Sequence, residues 1–183
     1  MRTFLVLPIF CCLVLLGCAS TVSSIKEDVD IPLSANSGYL LVGVDLNYAV
    51  NNIQIGGPKD VLFTRDDLDQ FNNYFLVEMP AGKYSFEKIR LLNGYYYTLK
   101  SGYWDFEVKP SEISYVGHLK IMSRNGWFSR YNITLENKST DALEYMQDNY
   151  NNILSARRLR HRGPGDDKFL EYVDVELAKE AEQ

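Results

Sequence analysis

Beyond residue 37 the chain is a succession of short apolar runs separated by turn residues. Runs at 39–46, 61–64, 71–79, 84–91, 95–99, 104–108, 113–119 and 128–135 are rich in Val, Ile, Leu, Tyr and Phe. Branched and aromatic side chains suit a pleated strand. Turn signals recurring at intervals of about 8–12 residues mark an antiparallel sandwich or barrel. The run Tyr84-Ser85-Phe86-Glu87-Lys88-Ile89-Arg90-Leu91 alternates apolar and polar residues, the period-two pattern of a strand with one wet face. Two turns, 79–82 with Pro80 and Gly82 and 109–112 with Pro110, sit between such runs as hairpin connections. Proline presets the φ of a turn and glycine accepts a positive one.

After Leu135 the period changes. Leu143, Met146, Tyr150, Ile153 and Leu154 recur at helical spacing, a narrow apolar stripe. Asp141 followed by Glu144 has the form of a capping box. These signs predict a helix that runs to Arg160 and breaks at Gly163-Pro164-Gly165. Residues 166–183 carry Phe169, Leu170, Tyr172, Val173, Val175 and Leu177, a pattern that fits a short helix or a last strand equally. No internal repeat is present. The predicted class is mainly β: an antiparallel β-sandwich over 38–135 with a C-terminal α-helix and tail over 139–183.

The start of the chain reads as an address. Met1, Arg2 and Thr3 precede an apolar run over 4–16 that only Pro8 interrupts. The run is short for a bilayer span, which needs about 20 apolar residues, and has the layout of a secretory signal. It ends in Leu15, Leu16, Gly17 and Cys18. These residues resemble the lipobox of bacterial lipoproteins. The resemblance implies a signal peptide over 1–17, cleavage before Cys18, diacylglycerol on the Cys18 sulfur and an acyl group such as palmitate on the new amino terminus. Residue 19 is Ala rather than the Asp that resembles an inner-membrane retention signal, which implies the outer membrane of a Gram-negative envelope. One acyl chain holds a protein only marginally, whereas two or three hold it durably. Residues 18–37 are polar and small and are expected to form a flexible tether with a span of roughly 20–25 Å.

A second resemblance concerns the fold. Pro80-Ala81-Gly82-Lys83-Tyr84, then Phe106-Glu107-Val108-Lys109-Pro110 and Ile113-Ser114-Tyr115-Val116-Gly117, are similar to small bacterial lipoproteins with a transthyretin-like or immunoglobulin-like sandwich, including families of uncharacterised function. In those proteins a Pro-Gly turn leads into each strand, and here Ser111 stands where the second glycine is usual. Sandwiches host many unrelated roles, so the likeness implies a fold and no activity.

Composition narrows the function by exclusion. The chain of 183 residues has a net charge of -5 and 2 His, and lacks the basic face that nucleic-acid binding requires. All 3 Cys lie at or before residue 18, so the folded part has no thiol for a disulfide, a metal or a nucleophile. His118 and His161 have no nucleophile and acid at a spacing that suggests a triad. Asp66, Asp67 and Asp69, and the pair Asp166 and Asp167, lack the alternating spacing and central glycine of a calcium loop and read as solvated loop or cap chemistry. The Asn132 and Asn137 glycosylation patterns read as accidental in a bacterial chain.

Two features invite a binding role. Aromatic residues make up 13% of the chain, with 13 Tyr. Tyr95, Tyr97, Trp104 and Trp127 form one candidate surface, with Tyr95 and Tyr97 expected on the same side of a strand and Tyr96 on the other. Exposed Tyr and Trp stack on sugars or anchor interfaces, although they also pack across strands. Arg157, Arg158, Arg160, His161 and Arg162 form the one dense basic cluster, read either as cations at a helix C-terminus or as a patch for an anionic partner. The expectation is therefore a non-enzymatic, lipid-anchored envelope protein that needs no cofactor or metal. It binds or scaffolds another envelope protein. A glycan-binding module is the alternative, and a hydrolase the less favoured one.

Overall fold

The computed structural model describes residues 20–21, 24–68, 74–124 and 130–181. In chain order these form β1 (Ser20–Thr21), β2 (Ser37–Leu46), β3 (Val50–Gly56), β4 (Val61–Thr64), α1 (Arg65–Leu68), β5 (Tyr74–Pro80), β6 (Gly82–Leu91), β7 (Tyr96–Thr98), β8 (Asp105–Val108), β9 (Ile113–Arg124), β10 (Arg130–Glu136), α2 (Ser139–Asn149), α3 (Asn151–Ala156), β11 (Leu159–His161) and α4 (Lys168–Ala181). The predicted β-sandwich with C-terminal helix is the observed fold.

One sheet runs β1-β4-β3-β6, with β7 and β8 both on the far edge of β6. The other runs β10-β9-β2-β5, with β11 sharing the outer edge of β9 with β10. Most pairs are antiparallel, but β2 and β9 pair in parallel at the centre of the second sheet, β11 joins β9 in parallel, and β1 joins β4 in parallel.

Two cores hold this arrangement. Between the sheets lie Leu40, Val42, Ile53, Phe63, Phe75, Phe86, Ile89, Val116 and Leu119. Between the second sheet and the helices lie Tyr39, Leu41, Leu76, Tyr115, Met146, Tyr150 and Ile153. Strand β2 therefore buries both faces, one on each core, which is why its apolar run is unbroken. On β9 an extra residue separates the pairs Leu41 with Tyr115 and Gly43 with His118. Gly117 absorbs it at φ 116°. The bulge keeps Val116, Leu119 and Ile121 in the inter-sheet core and turns His118 toward the helices.

Several sequence expectations need correction. The turns at 79–82 and 109–112 are not hairpins: each carries the chain from one sheet to the other, because β5 and β9 lie in one sheet and β6 and β8 in the other. The turn chemistry at Gly82 is as expected, with φ 153°, and Ser111, which stands where a glycine is usual, takes φ 60°, a conformation glycine would hold without strain. Strand β3 was not anticipated; Asn51, Asn52 and Gln54 are only half-buried, and an extra residue at Asn51 breaks its alternation. The helix starts two residues before Asp141, so that residue sits in the first turn and no capping box forms. It divides at Tyr150 and stops at Ala156, after which Leu159–His161 is a strand. The undecided tail is α4. Residues 139–183 are thus no appendage, since β11 is part of the second sheet.

The expected tether over 18–37 is also revised. Residues 24–36 pack along the domain: the Ile25 N–H donates to the Leu76 carbonyl at 2.8 Å, and Ala81 N–H donates to the Asn36 carbonyl at 2.8 Å. Ser20 and Thr21 pair with Val61 and Leu62 on the edge of β4. A polar segment of this kind needs partners supplied by the rest of the fold, and no local pattern reveals them.

Candidate functional site

The aromatic turn after β6 lies at one end of the sandwich. Its geometry is braced from within. Leu91 N–H donates to the Tyr95 carbonyl at 2.8 Å, and the Asn93 side-chain oxygen accepts from Tyr95 N–H at 3.2 Å. Gly94 takes φ 87°, which a side chain would resist. Beneath the turn, the Tyr131 ring lies 5.2 Å from Tyr48 and 5.7 Å from Tyr97, and the Asn93 amide donates to the Tyr131 hydroxyl at 3.4 Å. On top, Leu92, Tyr95 and Tyr96 are exposed by 44%, 71% and 61%. These are large apolar surfaces held out on a fixed loop. The Lys88 ammonium sits 5.6 Å from the centre of the Tyr96 ring.

The four residues proposed from sequence do not form one platform. Tyr95 precedes β7, so strand alternation does not reach it, and it does not share a face with Tyr97. Tyr97 and Trp104 are half-buried and pack on the inter-sheet core. Trp104 also meets the edge of Tyr103, whose hydroxyl donates to the Leu135 carbonyl at 2.6 Å. Trp127 lies outside the described residues. Tyr96 takes the exposed place expected of Tyr97, because β7 turns Tyr97 inward. The tyrosine richness is mostly structural: Tyr39, Tyr74, Tyr84, Tyr115 and Tyr150 are buried, and only Tyr95, Tyr96, Tyr103 and Tyr172 are exposed among the 13.

The basic cluster is dispersed by the strand that contains it. Arg157 pairs with Asp30 at 2.6 Å, Arg160 with Asp174 at 2.6 Å, and Arg162 with Glu112 through two hydrogen bonds of 2.6 and 3.0 Å. The Glu112 hydrogen bonds push the Arg162 pKa further up, holding it charged. Arg158 alone of the four is exposed with no carboxylate partner among the described residues. It lines a groove of about 600 Å³ between α3 and α4, with Leu154, Leu170, Val173 and Leu177. A second, open groove of about 560 Å³ has charged Lys83, Glu87, Asp105 and Glu107 along it, with Tyr84 and Phe106.

The histidines have packing roles. His118 is buried, its ring edge-on to Tyr74 at 5.3 Å and pressed against Gly43. Burial, then the nearby Lys138 charge, lowers its pKa. His161 shares a hydrogen bond with the Pro164 carbonyl at 3.2 Å. The carboxylate clusters are caps: Asp67 accepts from Thr64, and Asp167 accepts from Phe169 and Leu170 N–H at the start of α4. Asp69 lies outside the described residues. Among the described residues no group of three His, Cys, Asp or Glu side chains is placed to hold a metal, and no helix is long and apolar enough to cross a membrane.

What sequence reasoning missed are the acids that meet the arginines. Asp30, Glu112 and Asp174 stand in three separate elements, and no local spacing links them to residues 157–162. No protein-family model matches the chain, no curated protein matches it, and no solved structure matches it.

Proposed function

We propose that the protein is a non-enzymatic bacterial envelope lipoprotein, anchored in the outer membrane through acyl groups on Cys18, that binds another envelope protein. The docking surface is the turn that exposes Leu92, Tyr95 and Tyr96. The observation that carries this reading is the bracing of that turn. An interface anchor gains most when the segment that carries it is already ordered, and the Asn93, Gly94 and Tyr131 contacts hold the backbone of this turn. The turn lies at the end of the sandwich opposite to β1, so an anchor on Cys18 leaves it directed away from the membrane. A glycan platform built on Tyr97 and Trp104 is disfavoured by their packing against the core. The paired arginines serve the fold, which removes the anionic-partner reading for Arg157, Arg160 and Arg162.

The test is crosslinking of the tagged full chain in envelope membranes, with the double variant Tyr95→Ala and Tyr96→Ala beside it. One recurrent protein partner that the double variant loses supports the reading. A partner retained by that variant, or none in either sample, overturns the docking surface. Fractionation tests the anchor separately: Cys18→Ala must leave the membrane fraction.

A further inference from the structure

The two sheets differ on their outer faces. Helices α2, α3 and α4 pack on the second sheet, whereas the first sheet carries no such layer among the described residues. Its Ile53, Phe63, Phe86 and Ile89 lie in the inter-sheet core, so alternation turns Asn52, Gln54, Lys88 and Arg90 outward. Register aligns the outward side chains in two rows across four strands. One row is Thr64, Asn52, Arg90 and Tyr96; the other is Leu62, Gln54, Lys88 and Thr98. Three strand spacings make each row about 14 Å long.

An extra residue in β6 separates two charges that are adjacent in sequence. Gln54 pairs with Lys88 and Ile55 with Phe86, which leaves Glu87 between them. The Glu87 carboxylate lies over Gly56, where a Cβ would collide with it, and so points toward the β1 end. The Lys88 ammonium instead lies 5.6 Å from the centre of the Tyr96 ring, toward the far end. Asp105 and Glu107 also stand in the β1 half, in register with Ser85 and Lys83. At the β4 margin Asp66 and Asp67 follow Thr64 in α1, and Asp67 accepts from the Thr64 N–H and hydroxyl, each at 2.8 Å. Every residue in register with Lys88 or Arg90 is neutral: Gln54, Thr98, Asn52 and Tyr96. Among the described residues, Arg90 and the Asn52 and Gln54 carboxamides have no side-chain hydrogen-bond or ion-pair partner.

We propose that Asn52, Gln54, Lys88 and Arg90, bordered by Thr98 and Tyr96, form a binding site for an anionic polysaccharide. Carboxamides donate and accept at once, as sugar hydroxyls require, and an arginine fork and an ammonium beside them suit acid groups along the chain. The core of a protein interface is instead depleted in charge and rich in large apolar side chains, which on this face stand only at the margins, as Leu62 and Tyr96. A chain of net charge -5 repels polyanions at long range, so the attraction is local to this patch. The site needs neither the Cys18 anchor nor a protein partner at Leu92 and Tyr95, and Tyr96 borders both surfaces.

The experiment uses the full chain, purified in a neutral detergent, and reads its Kd by biolayer interferometry on immobilised polygalacturonate, dextran sulfate, dextran and polyglutamate. Polygalacturonate should bind about tenfold or more tightly than uncharged dextran, and salt should weaken it. The pair Lys88→Glu and Arg90→Glu should lose about tenfold or more, as expected for charge-assisted hydrogen bonds. The pair Asn52→Ala and Gln54→Ala should lose about two- to tenfold, as expected for neutral ones. The exposed control pair Lys59→Glu and Lys83→Glu, and Tyr95→Ala, should leave the Kd unchanged. Thermal melts check that each variant folds. Tighter binding of dextran sulfate through the same four residues supports the site and assigns its anion as a sulfate or phosphate ester. Three results overturn the proposal. One is equal binding, or none, on polygalacturonate and dextran. Another is an equal loss in the Lys59 and Lys83 control, which means adsorption by charge alone. The third is polyglutamate bound as tightly as polygalacturonate with Asn52 and Gln54 dispensable, which points to an acidic protein instead. The Tyr95 and Tyr96 crosslinking result is unaffected by any of these, so the two readings fail separately.

Discussion

Asp30 and Arg157 lie 127 residues apart in the chain and meet through two hydrogen bonds, Nε to Oδ1 at 2.6 Å and Nη2 to Oδ2 at 3.3 Å. The same guanidinium donates to the Ile31 carbonyl at 3.2 Å and lies 5.4 Å from the centre of the Tyr39 ring. One side chain at the end of α3 therefore fastens the N-terminal segment to the helical layer. Arg157→Ala should cost about 1–3 kcal/mol, the range for a charge-assisted hydrogen bond. For a chain of this size that is a fall in Tm of roughly 2–12 °C. Arg157→Lys keeps the charge but not the fork, and should recover only part. A Tm for Arg157→Ala indistinguishable from wild type would falsify the fastening role.

Asp28 acts beside it. The α3 helix has no side-chain cap of its own. The Asp28 carboxylate instead accepts from Asn152 N–H at 2.8 Å and Ile153 N–H at 3.0 Å. Asp28→Ala should cost about 1 kcal/mol, the usual worth of a cap. Combined with Arg157→Ala it should cost less than the sum, because either change alone loosens the same segment. Chemical denaturation of the four-member cycle reads this directly, and strict additivity would show that the two contacts hold separate pieces.

Ser111 is the one described non-glycine residue at positive φ, at 60°. A side chain in that conformation costs roughly 1–2 kcal/mol, and glycine loses back roughly 0.5–1 through its freer unfolded chain. Ser111→Gly should thus stabilise the protein by about 0.5–1 kcal/mol, and Ser111→Val should destabilise it. Thermal melts of the pair decide the point. A lower Tm for the glycine variant would mean that the serine makes an interaction worth more than the strain.

His118 should make stability depend on pH. Burial lowers its pKa below the ordinary 6.5, with Lys138 adding to the fall and Asp45, Asp141 and Glu136 opposing it. Below pH 6.5 the unfolded chain binds a proton that the folded chain refuses. Stability is therefore full above that pH and declines as pH falls toward the lowered folded value. His118→Gln should flatten this limb in denaturation curves taken between about pH 7 and 5. An unchanged slope would assign the effect to other groups.

Gly43 tests the same packing by shape. A Cβ there would fall 2.2 Å from the His118 Nδ1. Gly43→Ala should cost about 1–3 kcal/mol, the range for overpacking. Adding His118→Ala should restore part of it, since the two changes share one contact. A double variant as unstable as the sum would place the strain on the backbone instead.

Much of the fold was legible because strands and amphipathic helices carry periods. Tyr84 and Phe86, then Ile89 and Leu91, alternate with polar residues on either side of an extra residue at Glu87 and Lys88, and all four are buried in β6. The stripe of Met146, Tyr150 and Ile153 packs on the second sheet as its spacing implies. Strand β3 escaped because Asn51, Asn52 and Gln54 leave it few apolar residues and an extra residue at Asn51 breaks the period. The candidate site was half legible. Tyr95 was found by its type, whereas Tyr96 and Tyr97 exchanged places because parity can be read from sequence only once one face is known. The arginines were found as a cluster and lost as a patch, since their charge partners come from distant segments.

By itself the sequence determined which residues seek burial and which turns need a special φ, because both are properties of short stretches of chain. The period of two and the helical stripe follow from backbone geometry, and the positive φ of Gly82 from local sterics. Tertiary structure decided the rest. It set which sheet each strand joins, so that two expected hairpins became crossings between sheets. It turned a polar leading segment into a packed one by supplying Leu76, Asn152 and Arg157 as partners. It met Arg157, Arg160 and Arg162 with acids from distant segments of the chain. Hydrogen bonds and ion pairs act over a few ångströms in space with no regard to separation along the chain, and only the completed fold brings such pairs together.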